Sequence, residues 1–327
     1  MRRLVIFALA VAGAAAALAN DTTASTAAGG LVLERTDDID MVSEDLFVSA
    51  TAIRVNYVFR NQSPGDVETI VAFPMPPRDL SQEWGQDIAY PSDFKTTVEG
   101  QPVESTLERK AVVKGRDYTS LLNRLGIPID PDNIMDATKA MDRLTEAQKA
   151  QLQSLGLAGD EEFSFGPEPM AHHLIPLWTV QDRYWWKQRF PAGRDLHVEH
   201  RYVPGAGGSV GTLLGSEYVK PDDPDLLAMI ARYCIDRDFL AAVNRLRKPD
   251  QDIPPVWIDY ILTTGANWRS PIGTFRLVVD KDNPANLVSF CADGVKKISP
   301  TQFEVVHRDW RPTSDLHVLI IEPPPSR

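Results

Sequence analysis

An alternating pattern between residues 53 and 77 constrains the fold of this chain more than any other feature of its sequence. Apolar residues occupy every second position of its first half, namely Ile53, Val55, Tyr57 and Phe59. Such alternation is typical of a strand with one buried face. Turn-forming residues fill 61–66, a second alternating run spans 67–73, and prolines follow, which cannot donate to a strand ladder. The stretch predicts a β-hairpin and, with it, a β-sandwich.

The start of the chain predicts where the protein is found. Met1-Arg2-Arg3 is basic, residues 4–16 are almost entirely apolar, and Ala17-Leu18-Ala19 forms a small-x-small cleavage site. We expect a secretory signal peptide that is cleaved after Ala19, and hence a periplasmic protein with no transmembrane segment after cleavage. A membrane anchor is the alternative, but the apolar run is shorter than the roughly 20 residues that a span requires. The small, polar residues 20–28 suggest a flexible lead-in.

The charge of the chain argues against two classes of partner. Its 34 Lys and Arg residues are outnumbered by 45 Asp and Glu residues, so the net charge is −11. An acidic protein repels the phosphates of nucleic acids and anionic lipids. We therefore expect no nucleic-acid partner.

The order of patterns along the chain predicts a mainly β (α+β) fold, an antiparallel β-sandwich with a helical insertion. The signal peptide at 1–19 precedes an N-terminal β-sandwich part at 20–114. Helical patterns occupy 115–158, and a lid over a site is an alternative interpretation of this insertion. A second β part at 159–327 contains one long helix at 222–247, whose apolar side has helical spacing.

The two cysteines left after the predicted cleavage, Cys234 and Cys291, suggest a disulfide. An even number of cysteines in an oxidising compartment favours pairing. Two free buried thiols, or a catalytic cysteine, remain as alternatives. If the bond forms, it ties the long helix to a strand.

One strand carries a candidate ligand face. Between Trp178 and Phe190, one side of the alternating pattern is apolar, and the other carries Arg183, Trp185, Lys187 and Arg189. An aromatic ring among cations could stack on a sugar or bind an anionic polymer. The alternative is a solvated face whose tryptophan packs under a neighbouring loop.

No catalytic or metal-binding pattern emerges from the remaining residues. His172 and His173 are adjacent on an expected loop, and His197 and His200 point to opposite faces of a strand, whereas zinc ligands converge. Asp130-Pro131-Asp132-Asn133 offers only half of a calcium ligand set. We expect no metal, no cofactor and no enzymatic activity.

Several short stretches together resemble a known family. They are Gly29-Gly30-Leu31, Met41-Val42-Ser43-Glu44-Asp45-Leu46, Phe73-Pro74-Met75-Pro76, Gly265-Ala266-Asn267-Trp268, Pro271-Ile272-Gly273 and Val288-Ser289-Phe290-Cys291. With them, the chain past the predicted signal resembles the bacterial family catalogued as domain of unknown function 4424. The N-terminal part also looks like the vault/inter-alpha-trypsin type of β-sandwich. The resemblance implies an exported, mostly β protein and no particular activity.

These observations favour a non-enzymatic binding or interaction module of the bacterial envelope. Its expected partner is an envelope protein or a glycan. The alternative is a cell-wall-directed enzyme or a periplasmic binder of small molecules or glycans.

Overall fold

Strands outnumber helices in the described part of the chain, and most of the helices lie in two groups. The computed structural model describes residues 20–27, 30–83, 91–130, 134–209, 211–216, 219–248, 251 and 253–324, so the predicted signal peptide lies outside the described residues. The first elements are β1 (Thr22–Ala27), β2 (Gly30–Glu34), β3 (Ile39–Val48), β4 (Ile53–Asn61), β5 (Val67–Pro74), β6 (Arg78–Asp79), α1 (Leu80–Glu83), β7 (Ser92–Val98), β8 (Gln101–Val103), β9 (Thr106–Val113) and β10 (Arg116–Asp117). The middle of the chain forms α2 (Thr119–Arg124), α3 (Ile134–Asp142), α4 (Glu146–Ser154), β11 (Ala158–Phe163), β12 (Ala171–Pro176), β13 (Thr179–Phe190), β14 (Asp195–Val203) and β15 (Gly207–Gly208). The last elements are α5 (Pro224–Arg232), α6 (Arg237–Leu246), β16 (Pro255–Tyr260), a 3₁₀ turn (Thr263–Asn267), β17 (Ile272–Asp280), β18 (Leu287–Phe290), β19 (Lys296–Lys297), β20 (Gln302–Trp310) and β21 (Leu316–Ile321).

In the described part of the chain, three sheets build the body of the protein. Sheet A has the order β10-β9-β13-β5-β1-β2, with β6 also paired to β13. Sheet B has the order β19-β20-β17-β3-β4-β14-β7-β8, and sheet D the order β15-β16-β21-β18. Strands β11 and β12 form a separate two-stranded hairpin, sheet C. The mainly β fold class with antiparallel sheets is confirmed, although β3 and β17 pair in parallel within sheet B.

Sheet B forms one layer of a sandwich, and sheets A and D together form the other. The main core contains buried residues of β3, β4, β14 and β17 from sheet B, of β5 and β13 from sheet A, and of β16 and β21 from sheet D. Strands from both sides of the helical stretch contribute to sheet B. The two β parts of the sequence therefore share one core.

The predicted hairpin at 53–77 is wrong in its pairing, although both strands exist. Strand β4 pairs with β3 and β14 in sheet B, whereas β5 pairs with β1 and β13 in sheet A. The turn between them crosses the sandwich, and the Asn61 side chain fixes it by donating to the carbonyl oxygens of Gly65 (2.8 Å) and Phe190 (2.9 Å). The apolar faces of β4 and β5 meet across the core. Alternation shows that each strand has a buried face, but it does not show which strand lies beside it.

The helices α2, α3 and α4 occupy the stretch in which the sequence predicts a helical insertion. Their buried Leu122, Met141 and Leu152 pack in a second core with Trp178 and Val180, at the start of β13. Helix α4 begins with a capping box, because Thr145 accepts from the backbone N–H of Gln148 while the Gln148 side chain accepts from that of Thr145.

The predicted helix at 222–247 is two helices, α5 and α6. Asp236 caps the second helix by accepting from the backbone N–H of Phe239 at 2.7 Å. Cys234, with a φ of 50°, turns the chain between them. Apolar spacing continues through the break, so periodicity alone merges the two helices.

The predicted flexible lead-in is also wrong. Residues 22–27 form β1, which pairs with both β2 and β5. Asn20, Asp21 and Thr22 are each 0% exposed. Small polar residues predict a segment exposed to solvent, but here they are buried and form hydrogen bonds with polar groups inside the protein.

Candidate functional site

A cleft of about 740 Å³ opens between sheet B and sheet D, at the end of the sandwich. Strands β17 and β20 form one wall, and β18 and β21 contribute to the other. We call it the inter-sheet cleft. Its lining comprises Cys234, Asp236, Leu262, Phe275, Leu277, Val288, Ser289, Phe290, Cys291, Ala292, Asp293, Val295, Phe303, Val305, His307, Trp310, Thr313, Ser314, Asp315 and Leu316.

Three stacked rings dominate the sheet B wall. The ring centroids of Phe275 and Trp310 lie 4.4 Å apart, and those of His307 and Trp310 lie 5.2 Å apart with 27° between their planes. Phe275 is buried, whereas His307 and Trp310 are half-buried. The two outer rings therefore offer a partly accessible aromatic platform above an apolar base.

The backbone at Asp309 brings the rings together. His307 and Trp310 are three positions apart on β20, so regular alternation would place them on opposite faces. Asp309 has a φ of 47°, which turns the strand at its end. Trp310 consequently stacks on the same side as His307.

Carboxylates give the rim of the cleft an acidic character. Asp315 accepts hydrogen bonds from the backbone N–H groups of Leu262 and Thr263, both at 3.1 Å. Asp236 caps α6, and Asp293 is exposed. Asp236 and Asp293 are thus the lining carboxylates that are exposed to solvent, whereas Asp315 is half-buried.

A disulfide borders the same cleft. Cys234 and Cys291, 57 residues apart, are bonded, with 5.1 Å between their Cα atoms. The predicted disulfide is confirmed. It joins the turn between α5 and α6 to the residue after β18, so it holds the rim against sheet D.

The predicted ligand face lies on sheet A, away from the cleft lining. Arg183 donates to the carbonyl oxygen of Leu31 at 2.8 Å. Trp185 is half-buried and packs beside the cluster of Ala24, Leu31 and Ala72. Lys187 is exposed. Arg189, also exposed, forms an ion pair with Asp66. The four residues share one face of β13, and whether that face binds a ligand stays a prediction.

An Asp–His–Thr series lies in the interior. Asp21 contacts His200 Nε2 at 2.9 Å, and Thr96 contacts Nδ1 at 3.0 Å. The connectivity resembles that of a hydrolase triad. However, Asp21 and His200 are 0% exposed and Thr96 is 3% exposed, so substrate cannot reach the hydroxyl. The series positions the start of β1 against β14.

A second polar group adjoins it. Asn20 Nδ2 donates to Glu44 Oε2 at 2.9 Å, and the Tyr57 hydroxyl donates to Asn20 Oδ1. The hydroxyls of Tyr57 and Tyr260 lie 3.0 Å apart. The pKa of the Glu44 carboxyl is raised to about 8, mainly because burial disfavours its charged form. The hydrogen bond from Asn20 lowers this pKa, and the nearby Asp21 carboxyl raises it; both effects are included in that value.

Four further histidines, His172, His173, His197 and His317, pair individually with carboxylates. His172 contacts Asp160 at 2.6 Å, and His173 contacts Asp142 at 2.7 Å. Within the described ranges, no three His, Cys, Asp or Glu side chains converge as metal ligands would. Residues 131–133 of the considered calcium segment lie outside the described residues.

None of the helices in the described part is long and apolar enough to cross a membrane.

Comparison with known proteins decides the family. The family model described as "Domain of unknown function (DUF4424)" matches residues 19–319. The chain belongs to this family. No curated protein matches the sequence.

This DUF4424 protein is distantly similar to a protein of solved structure. It is described as a "putative nutrient binding protein" from Legionella pneumophila subsp. pneumophila str. Philadelphia 1. The two share 17% sequence identity over 93% of this chain and 70% of that one, with a TM-score of 0.45.

Two sequence stretches that carry the DUF4424 resemblance both contact the segment Asn20–Asp21 inside the fold. Glu44 lies in the first, and Trp268 in the second donates from its ring N–H to the carbonyl oxygen of Asp21 at 2.7 Å. The stretch Val288–Cys291 lies on the cleft.

The sequence interpretation missed the cleft residues Phe275, His307 and Trp310. The usable signal was the alternation of Phe303, Val305 and His307.

Proposed function

We propose that this DUF4424 protein is an exported, non-enzymatic binding module of the bacterial envelope, and that its inter-sheet cleft binds glycan. One observation carries the proposal: the partly exposed stack of His307 and Trp310 stands on the wall of a cleft about 740 Å³ in volume. Pockets that take small ligands combine apolar walls with a few polar groups.

The chemistry of the cleft favours sugar rings. A pyranose presents a flat C–H face that packs on an aromatic ring, while its hydroxyls donate to carboxylates such as that of Asp293. The disulfide at the rim agrees with an oxidising compartment. Peptidoglycan fragments are accordingly the first ligands to test.

The experiment is a calorimetric titration of residues 20–327 with soluble peptidoglycan fragments. Trp310→Ala should weaken binding about tenfold, because a stacked ring contact contributes about 0.5–1.5 kcal/mol beyond burial. His307→Ala should weaken it too, and it leaves the Phe275–Trp310 contact intact. Circular dichroism establishes that each variant is folded.

Trp185→Ala is the matched control, since it removes a half-buried tryptophan from the predicted ligand face on sheet A. We expect it to bind normally. Loss of binding in this variant alone would move the site to Arg183, Trp185, Lys187 and Arg189. No binding by the parent protein would refute the glycan proposal, and cleavage of the fragments would favour the cell-wall enzyme.

A further inference from the structure

The interior around Asn20 contains more acidic groups than basic ones. Glu44 is 1% exposed and Asp21 is 0% exposed. Each carboxyl keeps one oxygen without a hydrogen-bond partner, Glu44 Oε1 and Asp21 Oδ2. The basic side chain hydrogen-bonded to Asp21 is His200. Burying a carboxylate without a countercharge is costly, so a further cation beside these carboxyls would stabilise the folded protein.

The position of Asn20 shows where such a cation could come from. Its side-chain Nδ2 lies 2.9 Å from Glu44 Oε2. By covalent geometry, the backbone nitrogen of an asparagine lies within about 5 Å of its own side-chain nitrogen. The backbone nitrogen of Asn20 therefore lies within about 8 Å of Glu44 Oε2, a distance that a small adjustment of a newly freed N-terminus could close.

We propose that Asn20 is the first residue of the mature protein and that its α-ammonium group forms a buried ion pair with Glu44. The inference rests on the export proposed above. A signal peptidase would hydrolyse the Ala19–Asn20 amide, so that water adds across the bond. The leader keeps a carboxylate at Ala19, and Asn20 gains the ammonium.

If the ion pair forms, cleavage of the signal peptide changes the interactions that stabilise the folded protein. Before cleavage, the nitrogen of Asn20 is an uncharged amide, and Glu44 has no cation. After cleavage, the ammonium supplies charge and three donors, which suit the unpartnered oxygens of Glu44 and Asp21. The processed protein is therefore more stable than its precursor.

Two forms of the full mature chain test this step without relying on export. One is released from a cleavable fusion so that it begins at Asn20, and the other carries Gly-Ser before Asn20. We expect the first to melt about 5–8 °C higher at neutral pH, as for a broken buried ion pair. In a Glu44→Gln background this difference should nearly vanish.

Equal melting temperatures of the two forms would overturn the proposal. So would a difference that persists in Glu44→Gln, because the extension would then act by steric hindrance alone.

Reductive dimethylation gives a second readout that does not depend on stability. The α-amine of Asn20 should react at least tenfold more slowly than the N-terminal amine of the extended form. Equal rates would place Asn20 at the surface and refute the ion pair.

N-terminal sequencing of the protein from its native host separates the processing step from export. A periplasmic form that begins at Asn20 supports the inference, and one that begins elsewhere overturns it. Absence from the periplasm would refute export instead, while the melting comparison would still decide whether the ion pair forms.

Discussion

At the residue scale, Glu44 should make stability depend on pH whenever Asn20 is preceded by further residues. Burial raises the pKa of its carboxyl from 4.5 to about 8. Between these values the folded state keeps a proton that the unfolded state has lost. The free energy of unfolding therefore decreases as pH rises from about 5 to about 8, by at most about 1.4 kcal/mol per pH unit from this group.

Urea denaturation of the Gly-Ser-extended form across this range measures the effect. The slope should flatten in Glu44→Gln, which cannot ionise. An unchanged slope in the variant would show that other groups, such as Asp21, cause the dependence.

Single residues also show why the sequence does not predict the buried polar group around Asn20. The sequence predicts a flexible segment at Asn20 and Asp21, because small polar residues usually lie in solvent. Their partners Glu44, Tyr57 and His200 are 24 to 179 residues away. No local pattern reports a polar network assembled from such distant segments.

At the element scale, the parallel pairing of β3 with β17 depends on Gly273. A Cβ at this position would lie 2.6 Å from the carbonyl oxygen of Val42, which is backbone and cannot rotate away. Gly273→Ala should therefore force the strands apart and destabilise the fold by about 1–3 kcal/mol, as overpacking does.

Chemical denaturation compares Gly273→Ala with Gly65→Ala as a matched control. A Cβ at Gly65 meets nothing within 4 Å. The control should change stability by about 0.5 kcal/mol or less. Equal effects of both substitutions would contradict a steric role for Gly273.

The sequence predicts the positions of strands and helices better than it predicts which strands pair and where one helix ends and the next begins. Alternation located β4, β5 and β13, because a strand with one buried face must alternate. It did not separate a hairpin from a crossing between sheets. The apolar spacing likewise located α5 and α6 but merged them, since the break depends on the Asp236 cap and on the turn at Cys234.

At the scale of the whole molecule, the sandwich explains where a cleft can exist. Sheet A and sheet D share the layer opposite sheet B, and the core continues beneath both. The cleft opens at the sheet D end, where β18 lies at the edge of its sheet. Such a cleft depends on how two sheets separate, which no single stretch of sequence encodes.

The disulfide should stabilise both the fold and the shape of this cleft. Closing a loop of 57 residues contributes about 4 kcal/mol in the chain-entropy model. In a chain of this length, Cys234→Ser with Cys291→Ser should lower the melting temperature by about 6 °C. It should also weaken ligand binding, because the rim beside β18 loses its covalent link.

Calorimetry with and without dithiothreitol separates the bond from the substitutions. The parent protein should melt lower when reduced, whereas the double variant should not respond to the reductant. If reduction leaves the melting temperature of the parent unchanged, the loop is already restrained by packing. The contacts between the Ser289 hydroxyl and the carbonyl oxygen of Tyr233, at 2.8 Å, would then hold the rim without the disulfide.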